Sequence, residues 1–200
     1  MSELTELYKE IAVCQRCILA QARTRAVPGE GPEDAALMFI GEAPGFHEDR
    51  QGRPFVGAAG RFLEELLASI DLQREQVYIC NVIKCRPPGN RDPSPAEIEA
   101  CRPYLDRQIE LVNPRVVVTL GRFSMARYFP QASISRIHGQ PKRIGSRIYY
   151  PMFHPAAALH QPKYRAAIEK DMLKIPQLLA EAQQIVDETP PLQAEQLSLF

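Results

Sequence analysis

Residues 35–45 read Ala35-Ala36-Leu37-Met38-Phe39-Ile40-Gly41-Glu42-Ala43-Pro44-Gly45. The apolar run 35–40 is too short for a buried helix and is closed by glycine and proline, which predicts a strand buried on both faces. The chain continues through Phe46-His47-Glu48-Asp49 and Gly52-Arg53-Pro54-Phe55-Val56-Gly57. From Gly41 to Gly57 the chain reads as a long loop with ionisable side chains, two phenylalanines and four glycines, little of it suited to building a core. Apolar residues then recur at helical spacing from Phe62 to Leu67. Strand, loop and helix in this order put a ligand crevice at the carboxyl end of a sheet.

Further strands are predicted at 77–83, 115–120 and 147–153. Helices are predicted at 3–13, from about 61 to 70, 95–112, 121–129 and 164–185, the last kinked at Pro176. Ser94 or Asp92 can cap the 95–112 helix, with Pro95 in its first turn and Glu97 three residues after Ser94. The polar stretch 131–145 reads as a connection, and Pro151 suggests an edge position for the last strand. Strands alternating with helices give an α/β fold with a mainly parallel central sheet.

Two hundred residues, 45% hydrophobic, suffice for one domain with a proper core. We read residues 1–185 as that single domain and 186–200 as a flexible tail. No apolar run reaches the length of a membrane span and the N-terminus lacks a secretory pattern, so the expectation is a soluble, cytoplasmic protein that does not meet membrane. The formal net charge is zero. Local clusters matter more: Lys84, Arg86, Arg91 and Arg102 on one segment, and Arg136, His138, Lys142, Arg143 and Arg147 on another, can form a basic face.

Five cysteines in a cytoplasmic chain do not read as a disulfide framework. Cys14 and Cys17 form a Cys-x2-Cys pair, and Cys85 and Cys101 follow. Four such thiolates can hold a structural zinc or an iron–sulfur cluster, and spacing alone does not choose between them. Cys80, within Val77-Tyr78-Ile79-Cys80, reads as a buried core residue.

Glu42, Asn81 and His154 each stand near the end of a predicted strand, so parallel topology brings them to one crevice. Phe55 adds a flat apolar face. Asn81 offers a donor beside an acceptor, suited to a cyclic imide edge. His154 can donate to developing negative charge, and Glu42 supplies a carboxylate. This set suits an extruded base whose leaving group is an anion and whose sugar passes through a cationic state.

Gly-Glu-Ala-Pro-Gly at 41–45, Gly-Arg-Pro-Phe-Val-Gly at 52–57, Cys-Arg-Pro-Pro-Gly-Asn-Arg at 85–91 and His-Pro-Ala-Ala at 154–157 together resemble the family-4, iron–sulfur-containing uracil-DNA glycosylases. The resemblance covers about residues 3–180. It implies a three-layer α/β/α fold with a four-stranded parallel sheet, and a monofunctional enzyme of base excision repair that releases uracil from DNA and leaves an abasic site. It implies one structural 4Fe-4S cluster on Cys14, Cys17, Cys85 and Cys101, and no catalytic metal. Phe55 would stack on the flipped uracil, Asn81 would read O4 and N3–H, and His154 would donate to O2. Gly41, Glu42 and Ala43 would line the pocket. Ala43 occupies the position of the family-1 aspartate, which leaves Glu42 or Asn90 to position water; Gly45 stands where a tyrosine would exclude thymine. The 87–91 loop lacks the histidine of the DNA-crosslinking members, so turnover is expected. Lys84, Arg86, Asn90 and Arg91 are candidate DNA contacts on single- or double-stranded substrate. The tail ends Gln196-Leu197-Ser198-Leu199-Phe200, similar to the motif by which bacterial proteins dock on the DNA sliding clamp, with Gln196, Leu197, Leu199 and Phe200 as its anchors. The expected protein is a bacterial monomer associated with the nucleoid through DNA.

The residues leave two rival readings. A non-catalytic nucleic-acid-binding module would bind without releasing base, and a zinc hydrolase is disfavoured because four thiolates leave no open position.

Overall fold

The computed structural model describes residues 2–188. Its elements in chain order are α1 (Glu3–Ala12), α2 (Leu19–Ala22), β1 (Leu37–Gly41), α3 (Phe46–Gln51), α4 (Ala58–Ala68), β2 (Tyr78–Asn81), α5 (Pro95–Val112), β3 (Val116–Leu120), α6 (Arg122–Ala126), α7 (Ile134–Ile137), β4 (Lys142–Ile144), β5 (Arg147–Met152), α8 (Pro155–His160), α9 (Pro162–Met172) and α10 (Ile175–Glu188). Two single turns of 3-10 helix, Arg74–Gln76 and Pro88–Asn90, precede and follow β2.

The sheet order is β2-β1-β3-β5-β4. The first four strands are parallel, as expected, and β4 pairs antiparallel to β5. The sheet therefore has five strands rather than four. The extra strand lies in the stretch read as a connection, where Lys142-Arg143-Ile144 is wholly exposed and carries no core-facing pattern to betray it. Pro151 is accommodated because β4 reaches only to Tyr149, so the missing N–H of the proline costs no rung on that side.

Alternation along the strands splits the core in two. Leu37, Phe39, Val118 and Tyr150 face α4, α9 and α10, whereas Met38, Ile40, Val117 and Tyr149 face α1 and α5. Burying both faces accounts for the unbroken apolar strands. Cys80 is wholly buried in the second cluster.

Ser94 caps α5 in a full capping box: it accepts from the Glu97 N–H while Glu97 accepts from its own. Pro176 does not kink a single long helix. The chain breaks at Leu173–Lys174, and Pro176 sits in the first turn of α10, where a missing N–H breaks no helical bond. The segment read as a long loop also contains α3, closed by Gly52 at φ +73°. Gly52 is the left-handed helix stop that the sequence signalled but that glycine-rich surroundings masked.

Candidate active site

Parallel strands deliver the expected side chains to one edge. Gly41 and Asn81 are register partners at the ends of β1 and β2. His154 lies two residues beyond β5 and caps α8, with Pro155 at the first helical position. Gly121, after β3 and at φ +87°, leaves room for it: a Cβ there would stand 3.2 Å from the His154 Cβ.

These ends border a cleft of about 200 Å³ whose walls include Glu42, Ala43, Glu48, Phe55, Asn81 and His154. Gly41 lies beneath the wall; a Cβ on it would collide with Asn81 Oδ1 and come within 2.7 Å of the Phe55 ring. Asn81 is 2% exposed and its Oδ1 has no hydrogen-bond partner. An orphaned amide oxygen at a pocket wall is costly unless a ligand completes it. The Phe55 and His154 rings stack at 5.5 Å between centroids and 24° between planes.

His154 Nδ1 accepts from the Ala156 N–H at 3.1 Å. A neutral imidazole that accepts at Nδ1 carries its proton on Nε2, so the other nitrogen is a donor. Burial depresses the His154 pKa to about 4 against the opposing pull of Glu48, and the ring is therefore neutral at physiological pH. Glu42 is shifted the other way: burial first, then the charge of Asp92, raise its carboxyl above the ordinary range, while Arg122 opposes them.

Two further residues shape the cleft. Glu48 Oε1 accepts from the Val56 and Gly57 N–H groups at 3.0 and 2.9 Å, fastening α3 to the loop that bears Phe55. Arg74 donates through Nη1 to the Phe55 carbonyl at 2.8 Å and through Nη2 to the Pro54 carbonyl. Glu48 stood within the charged loop and could have been singled out; nothing in the spacing links Arg74 to residues twenty positions earlier.

Of the DNA-contact candidates, Lys84 is displaced. It is 1% exposed, and its Nζ donates to the Asn81 carbonyl at 2.6 Å and Gln108 Oε1 at 2.5 Å. The lysine is built into the wall behind Asn81 and cannot meet phosphate. Its place beside arginines in the sequence concealed that its side chain folds back onto the end of β2. Arg86 stays near the surface, over the Phe46 ring at 5.2 Å, and donates to Asn90 Oδ1 at 2.7 Å. Asn90 is exposed at φ +55°. Arg91 is forked on Glu97, at 2.9 and 2.6 Å, and this guanidinium holds the Glu97 carboxyl down at about 2.

Cys14, Cys17, Cys85 and Cys101 border a second, small and largely apolar recess between the end of α1, α2 and α5. N–H groups point at its sulfurs: Arg23 Nη1 to Cys85 at 3.1 Å, the Lys84 amide to Cys101 at 3.3 Å, and the Arg16 amide to Cys14 at 3.4 Å. Burial pushes the Cys101 thiol up to about 11 and the Cys85 thiol upward as well. Among the described residues, no group of three or more His, Cys, Asp or Glu side chains is placed to hold a metal ion. Gln196, Leu197, Leu199 and Phe200 lie outside the described residues.

A mainly parallel sheet with a polar, aromatic-walled cleft at its carboxyl edge, and four cysteines beside it, defines an α/β protein with a ligand site at the strand ends. The family model of the uracil DNA glycosylase superfamily matches residues 28–175, and the chain belongs to that superfamily. It is similar to proteins named type-4 uracil-DNA glycosylase. One from Sulfurisphaera tokodaii is 48% identical over 191 residues, 89% of this chain and 86% of the relative. One from Archaeoglobus fulgidus is 46% identical over 192 residues, 92% and 96%. One from Saccharolobus solfataricus is 45% identical over 192 residues, 90% and 88%.

Proposed function

We propose that this chain is a uracil-DNA glycosylase of base excision repair, which takes uracil from DNA and hydrolyses its N-glycosidic bond. The observation that carries the reading is the unpartnered, buried Oδ1 of Asn81 in a cleft also lined by the aromatic face of Phe55 and the fixed imidazole donor of His154. A flipped uracil would stack on Phe55 and give its N3–H to Asn81 Oδ1, and the Asn81 amide would donate to O4. Cytosine presents an acceptor and a donor in the reverse positions, so a fixed amide rejects it.

As the bond between C1′ and N1 breaks, the electron pair leaves with the base and charge grows on O2. The His154 Nε2–H meets that charge, and a neutral donor held in place needs no reorganisation. Glu42 supports the cationic sugar and orients the water whose oxygen bonds to C1′, and its raised carboxyl suits it to receive the water proton. Asn90 is the weaker candidate because its Oδ1 is already engaged by Arg86.

The four cysteines fit an iron–sulfur centre: an all-thiolate set borders one small recess, with N–H donors aimed at sulfur. A 4Fe-4S cluster bound there would act as a staple, joining the segment after α1, the loop after β2 and the middle of α5. Arg86 and Arg91 are the remaining phosphate contacts in this reading. The domain would run over residues 1–185, with the 186–200 tail tethering it to a bacterial sliding clamp and raising its local concentration on DNA. The protein acts as a monomer in the cytoplasm; no helix among the described residues is long and apolar enough to cross a membrane.

Incubation with uracil-containing and matched thymine-containing oligonucleotides, followed by alkaline cleavage, tests the activity. Strand breaks at uracil only are expected, and binding without breaks would overturn it. For the tail, deletion of residues 196–200 is expected to abolish clamp binding in solution while leaving excision of short oligonucleotides intact; undiminished binding would sink the tether.

A further inference from the structure

Phe55 stands at φ +51°, a backbone region that residues with a Cβ avoid because it crowds the following carbonyl. Neither its own side chain nor Pro54 favours that conformation, so the surroundings must impose it. Two features do so. Gly60, in the first turn of α4, lies against the Phe55 backbone; a Cβ there would run into the Phe55 carbonyl and stand 3.0 Å from its Cα. On the other side Arg74, 9% exposed, reaches both the Pro54 and Phe55 carbonyls.

Arg74 is itself held. Its Nε donates to Glu30 and its Nη1 reaches Glu64 at 3.4 Å. Burial alone would raise the Glu30 carboxyl, but the hydrogen bonds and charges of Arg53 and Arg74 prevail and hold it below the ordinary range. Glu30 also exchanges backbone hydrogen bonds with Ile79, at 3.0 and 2.8 Å, two residues before Asn81. One guanidinium thus joins the loop that bears the aromatic face to the strand that bears the amide. Only a planar fork offers donors in three directions for this task; an ammonium cannot span both carbonyls and Glu30 in fixed geometry.

We propose that Arg74 is a positioning residue for base recognition: by binding the Pro54 and Phe55 carbonyls it holds Phe55 in its unfavourable conformation and so fixes the Phe55 ring relative to the Asn81 edge. The inference rests on Phe55 being the stacking platform. It differs from a mere fold-supporting role in that the effect of Arg74 should pass through the Phe55 ring.

A double-mutant cycle on the full-length protein tests this, with Phe55→Ala, Arg74→Met and both together. Arg74→Lys serves as a second variant that keeps the charge. The readouts are excision of uracil from oligonucleotide, split into kcat and KM, inhibition by free uracil, and the thermal midpoint. Arg74→Met and Arg74→Lys should each lower kcat/KM roughly ten- to a hundredfold, the order expected for a misplaced binding group, and weaken inhibition by uracil. In the Phe55→Ala background the same substitutions should change little. If the Arg74 effect persists undiminished without the Phe55 ring, Arg74 acts on the fold and the inference falls alone. If Phe55→Ala leaves excision unchanged, the platform reading falls and takes the inference with it. Should Arg74→Met not fold, the Lys variant decides between these outcomes by the same comparison.

Discussion

The cleft and the cysteine recess share one length of chain, from Asn81 through Cys85 to Arg91, yet their polar atoms are in opposite conditions. In the cleft, the Asn81 oxygen is buried without a partner, and the wall around it is fixed by groups behind the surface: Gly41, Lys84 and, under Phe55, Arg74. In the recess, three of the four sulfurs already receive N–H donors, and the segments bearing them are far apart in sequence, α1 and α5 being held together by the second core cluster as well. The cleft leaves a buried oxygen unsatisfied; the recess meets most of its sulfurs with donors and gathers segments remote in sequence. Removing a side chain from the first should therefore cost chemistry and spare the fold, and the reverse should hold for the second.

The largest effect should come from the cleft. Asn81→Ala and His154→Ala are each expected to slow single-turnover uracil excision on the order of a hundred- to a thousandfold, the scale of losing a preorganised donor or acceptor. The unfolding midpoint should stay close to that of the parent protein. A matching loss of stability would erase the contrast between the two regions. Next in size is Cys101→Ser, which on the proposed cluster reading should remove the visible absorption such a centre gives and lower the denaturant midpoint. Residual activity should survive only in the fraction still folded. Normal stability with a slow chemical step would instead make the recess part of the reaction.

The smallest effect sharpens the comparison through pH. A histidine in an unfolded chain titrates near 6.5, whereas His154 titrates at about 4 in the fold. Between those values the unfolded chain holds the proton and the folded one does not. The contribution is thus complete above about 6.5 and is drawn down as pH falls towards 4. Urea unfolding across this window should show a decline that His154→Ala lacks. The ring protons of His154, followed by NMR across pH, should titrate well below 6.5; a midpoint near 6.5 would mean that the imidazole is not held neutral.

Much of this was legible in the residues because the strands are buried on both faces and punctuated by glycine and proline. The four parallel strands, the Ser94 cap and the gathering of Glu42, Phe55, Asn81 and His154 at one edge follow from that pattern. What escaped has physical causes. β4 is three exposed residues whose pairing is decided by its neighbour β5, not by its own side chains. α3 hides among residues that individually favour turns. Lys84 reads as surface charge by type, and only three-dimensional packing supplies the Asn81 carbonyl and Gln108 that make its burial tolerable. Arg74 acts across a chain separation that no local spacing encodes.

The short hairpin strand has one more consequence. A parallel sheet that ended at β5 would offer a six-residue row of open backbone groups to any other extended chain. β4 covers its first half with Lys142, Arg143 and Ile144, a strand too short and too charged to template further pairing. At the far side the Glu30 bridge to Ile79 interrupts the open margin of β2. Both flanks of the sheet are blunted against accretion of further strands.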